Sequence, residues 1–105
     1  MKIKMNPLEI ESELPGADLV KQGLSDLAAH LETANALLIC IGAYRLRAAG
    51  IDIPDYALRR ERPEHALYDL LGAQGEPDPF SAYNALIRRL VSFERTIERQ
   101  TRRLT

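Results

Sequence analysis

Two histidines in this chain each have an aspartate one helical turn away: His30 follows Asp26, and Asp69 follows His65. At that spacing both members of a pair share a helix face, and imidazole nitrogen with carboxylate oxygen is a donor set for a metal. Two such pairs brought together would supply four ligands. Nothing in the sequence brings them together, and the Glu-x-x-His elements of carboxylate-bridged bundles are missing. The pairs read as surface pairs, and no metal is expected. Cys40 sits in the most apolar stretch, residues 36–44. A reactive thiol needs an electropositive, partly exposed setting, so Cys40 is expected to pack as a core residue. No Gly-rich phosphate loop, nucleophile elbow or zinc spacing occurs. The sequence therefore assigns no catalytic residue and no cofactor.

Two arginine patterns carry the remaining chemistry. Arg60 and His65 form Arg-x-x-x-x-His, which resembles the motif of the HEPN family of small helical ribonucleases, where the pair flanks a scissile phosphate. The resemblance covers six residues, and Pro63 inside them departs from that family's continuous helix. The second pattern is a stripe near the C-terminus. At 100° per residue, Arg88, Arg95, Arg99, Arg102 and Arg103 fall on one side of a helix, opposite Tyr83, Leu86, Leu90, Phe93, Ile97 and Leu104. Such a face could track a phosphate backbone. Glu94 and Glu98 flank it, arginines suit a helix C-terminus, and no aromatic shares the face for base stacking. A solvated face is the simpler reading, with nucleic-acid association as an alternative function.

Composition narrows the classes further. The 105 residues carry 14 basic and 15 acidic side chains, a net charge of −1, so no global charge points to nucleic acid or membrane. The charge is uneven: residues 1–57 hold five basic and eight acidic groups, residues 58–105 nine and seven. One cysteine cannot form an internal disulfide, which points to a reducing, cytoplasmic compartment. The longest apolar run is nine residues against the ~20 of a membrane span, so no membrane insertion is expected. No apolar core follows Lys2 and Lys4, so the start does not read as a signal peptide.

The elements that must position these residues are helical, and strand signals are almost absent. The fold expected is all-α, a single helical domain over 1–105. An N-terminal arm with a short helix covers 1–14, its first five residues untied. A long helix follows over 15–50, because Val20, Leu24, Leu27, Leu31, Ala34, Leu38 and Ile41 repeat at 4,3 spacing. A connection with short helices spans 51–78. A C-terminal amphipathic helix covers 79–105, opened by Asp78-Pro79 as cap and first turn. Arg45 continues the seam and needs an acid or carbonyl partner; a structural salt bridge is the simpler reading, with an anion site between subunits as the alternative.

Residues 36–44 are apolar on every side of such a helix, which demands cover on every side. A second copy is the simplest cover, giving a long helical hairpin that completes a four-helix-type bundle as a homodimer. The expected interface is Leu37, Leu38, Ile39, Ile41 and Gly42. The leading function is then a non-catalytic protein–protein interaction or assembly module. A third possibility is a small enzyme or ligand-binding protein with a pocket between subunits near Cys40, Gly42 and Tyr44.

Overall fold

The computed structural model describes residues 5–104. Among them there is no strand, and the fold is all-α as expected. The arm residues 1–4 lie outside the described residues. A 3-10 turn at Pro7–Glu9 precedes six helices: α1 (Ala17–Ala28), α2 (Ala34–Ile41), α3 (Ala43–Ala48), α4 (Asp55–Leu58), α5 (Pro63–Ala73) and α6 (Pro79–Leu104). Asn6 caps the first turn through Leu8 N–H (3.0 Å), but the helix stops at Glu9.

The single helix expected over 15–50 is three helices. The chain turns back on itself at residues 29–33, so α1 and α2 pack against each other, the most extensive helix pairing in the molecule. The turn is a Schellman motif: Leu31 N–H reaches Asp26 C=O (2.8 Å) and His30 N–H reaches Leu27 C=O (2.9 Å). Its left-handed position, where glycine is usual, is taken by His30 at φ 58°. Thr33 caps α2 by accepting from Ala36 N–H (3.2 Å) and donates its hydroxyl to the carboxylate of Asp26. Asp26 also accepts from Gln22 Nε2 (2.8 Å), so one buried aspartate holds both sides of the reversal. The helices approach closely at Gly23, where a Cβ would overlap the Asn35 backbone carbonyl and come within 2.6 Å of Ile39 Cγ1.

The reversal also changes what covers the apolar band. Leu37, Leu38 and Ile39 are buried inside the single chain, as is Gly42, while Ile41 is half-buried. The expected interface is therefore mostly core. The reason is geometric: with α1 folded back on α2, and α5 and α6 also packed on α2, neighbours within the chain cover most of the band. Leu31, a seam position in the long-helix reading, is 52% exposed.

α6 begins as expected. Asp78 accepts from both Ser81 N–H (3.2 Å) and Ser81 Oγ (2.7 Å), and these bonds hold its carboxyl below the usual range. α6 buries Leu90, Phe93 and Ile97. Thr101 Oγ1 reaches Ala49 C=O (2.9 Å), fastening the far end of α6 to the end of α3. Of the first five residues only Met5 is described, and it is tied rather than free: Met5 N–H reaches Gly50 C=O (2.6 Å) and Asp52 N–H reaches Met5 C=O (2.8 Å).

Candidate functional site

The α1–α2 reversal builds a pocket of about 170 Å³ beside it. Leu27 from α1 and Ala36, Leu37 and Cys40 from α2 form an apolar floor. His30, Leu31, Glu32, Tyr56 and Arg60 form the rim. The Tyr56 hydroxyl donates to Leu27 C=O (2.8 Å), the same carbonyl that closes the Schellman turn, so α4 is bolted to the end of α1. The His30 and Tyr56 rings sit 5.8 Å apart at a 39° tilt, within aromatic contact range. Arg60 spans the mouth: it donates to the Glu32 carboxylate and to Glu61 C=O (2.6 Å).

Electrostatics leave this pocket nearly neutral. Burial pushes the Cys40 thiol above its ordinary range, and Glu32 adds to the rise while Arg60 opposes it. The thiol is thus protonated at neutral pH and behaves as part of the apolar floor. The Glu32 hydrogen bond holds the Arg60 guanidinium charged still more firmly than usual. The two rim charges cancel each other across the opening.

A wider depression lies on the other side of Glu32 and Leu37, between α2 and α5. It has a volume of about 420 Å³, with Ala66, Leu70 and Ala73 on its apolar side and Asp69 at its edge.

The sequence-derived candidates separate. His30 and Asp26 are not a ligand pair: His30 has left the helix and Asp26 is spent on Gln22 and Thr33. His65 and Asp69 do pair on α5 (3.2 Å), both side chains well exposed. No group of three or more metal-ligating side chains occurs among the described residues. Arg60 and His65 have different partners, and α5 starts between them at Pro63. Arg88, Arg95, Arg99 and Arg102 are exposed along α6; the side chain of Arg103 lies outside the described residues. Arg89 instead pairs with Asp18 of α1 (2.6 Å). Cys40 lines a pocket within one chain, and Gly42 and Tyr44 are not part of its lining.

Arg45 has the acidic partners its seam position requires. It bonds Glu98 through Nε (2.7 Å) and Nη2 (2.9 Å), and Glu94 through Nη1 (3.2 Å). Glu94 is 4% exposed, and burial raises its carboxyl above the ordinary range, with Arg45 opposing and Glu98 reinforcing that shift. Gly42 makes the room, since a Cβ there would stand 2.7 Å from Glu94 Oε2.

Sequence reasoning missed Glu32, Tyr56 and the floor of the pocket because they meet only through the reversal. Thr33 followed by an apolar run was the available signal for a new helix start. No protein-family model, curated protein or solved structure matches this chain. No helix among the described residues is long and apolar enough to cross a membrane.

Proposed function

We propose that this chain is a non-catalytic binding protein whose recognition site is the α1–α2–α4 pocket and whose ligand is a small molecule. The observation that carries this reading is His30. A left-handed C′ position favours glycine, and a residue with a Cβ costs on the order of 1 kcal/mol there. His30 accepts that cost at the rim of an apolar pocket, with its ring against Tyr56. Departures from local rules of this kind gather at functional sites. An apolar floor beneath a few convergent polar groups is also the usual build of a ligand site.

The test is amide chemical-shift mapping with neutral, acidic and basic fragments of one ring or less. The expected result is that shifts concentrate in residues 27–40 and 56–60. Shifts confined to other regions, or none with any fragment, contradict the proposal.

Assembly as a homodimer is a second reading, and one observation favours it. Tyr44 is 73% exposed, with half-buried Ile41 one turn before it, leaving an apolar edge at the α2–α3 junction. A native mass spectrum at twice the chain mass supports this reading, and a monomer at high concentration removes it.

A further inference from the structure

We infer that the pocket selects a neutral, single-ring aromatic molecule carrying one hydrogen-bond donor, the chemistry of a phenol. The inference rests on the proposal that this pocket is a ligand site, and three features define the class.

Size comes first. A pocket of about 170 Å³ is close to the ~150 Å³ of a cavity known to hold one benzene ring. A fused second ring exceeds that volume and extends out of the open mouth.

The surroundings favour an aromatic ring. The Cys40 sulfur in the floor gains from contact with a ring edge, and His30 and Tyr56 at the rim offer further aromatic contacts. Charge sets the last requirement. Arg60 already donates to Glu32 and to Glu61 C=O, so an anionic ligand at its remaining N–H groups meets the repulsion of Glu32 beside them. A carboxylate accepts more than one hydrogen bond, so Glu32, bonded to Arg60 through Oε1, can also take a ligand O–H at the mouth. A neutral donor therefore leaves the ion pair intact and adds one charge-assisted hydrogen bond.

The experiment titrates the full chain with phenol, benzoate, 1-naphthol and cyclohexanol, read by amide shifts and calorimetry. Phenol is expected to bind with shifts in residues 27–40 and 56–60. Benzoate and 1-naphthol are each expected to bind at least about tenfold more weakly, from unpaired charge and excess volume respectively. Ala36→Leu fills the floor and is expected to abolish phenol binding while the spectrum of α6 is unchanged. Glu32→Ala frees Arg60, and the preference is expected to reverse toward benzoate.

Equal or tighter binding of benzoate or 1-naphthol by the unaltered chain overturns the inference. So does a Glu32→Ala chain that keeps the phenol preference. If only cyclohexanol shifts the pocket residues, the aromatic class falls and the pocket remains a ligand site. If none of the four probes shifts them, the phenol class falls, and the basic fragments decide the ligand-site reading.

Discussion

Glu94 and Glu98 lie one helical turn apart, share Arg45, and are driven in opposite directions. Arg45 hydrogen bonds hold the Glu98 carboxyl below its ordinary value, whereas burial lifts Glu94. The ionised form of Glu94 is therefore a net cost to the folded chain at neutral pH, even with Arg45 beside it. Glu94→Gln is expected to melt at or above the wild-type temperature at pH 7; a clear fall in a thermal melt would show that the ion pair outweighs the burial. Arg45→Met leaves Glu94 buried with no cation and should cost about 1–3 kcal/mol in a denaturant titration. At this scale the sequence was partly legible. Arg45 announced its need for an acid by continuing an apolar seam, but its partners lie 49 and 53 residues away. Only the packing of α6 on the α2–α3 junction identifies them.

Among the elements, the α1–α2 reversal is the decisive one, and it was the least legible. The 4,3 spacing of apolar residues runs through the break without interruption, because both helices bury a stripe at that period. Glycine usually marks such a turn, and here histidine stands in its place. By contrast, Asp78-Pro79 identified the start of α6 correctly, because the capping interaction is local to four residues. The reversal depends on Gly23, whose missing Cβ admits the Asn35 backbone. Backbone cannot yield as a side-chain tip can. Gly23→Ala should therefore destabilise the fold by about 1–3 kcal/mol despite the better helix propensity of alanine. The same substitution should weaken fragment binding, since separating α1 from α2 opens the pocket floor. An unchanged denaturation midpoint for Gly23→Ala would place the close crossing elsewhere.

Over the whole molecule, two ion pairs between distant helices contribute to the response to acid. Asp18 and Glu98 both lie below their ordinary values of 3.8 and 4.5, the first through its hydrogen bond from Arg89 and the second through Arg45. Lowered carboxyls stabilise the fold fully above those ordinary values, and the contribution is lost as pH falls through the folded-state values. Glu94 works the other way: its contribution is complete below 4.5 and disappears as pH rises through its raised value. Glu98→Gln should thus flatten the loss of stability below about pH 4.5, and Glu94→Gln should remove a gain in stability that the wild-type chain makes as pH falls toward 4.5 from above. Melting temperatures from neutral pH down through 4.5 for the three chains check both signs. The all-α class was legible at this scale from periodicity alone. The pocket was not, because its floor and rim combine residues from 27 to 60. Ligand binding at the expense of the fold is the role proposed for His30, and His30→Gly tests it with two readouts on one protein. The expected result is a gain of about 1 kcal/mol in unfolding free energy, accompanied by weaker phenol binding. A loss of stability with phenol affinity unchanged would contradict it.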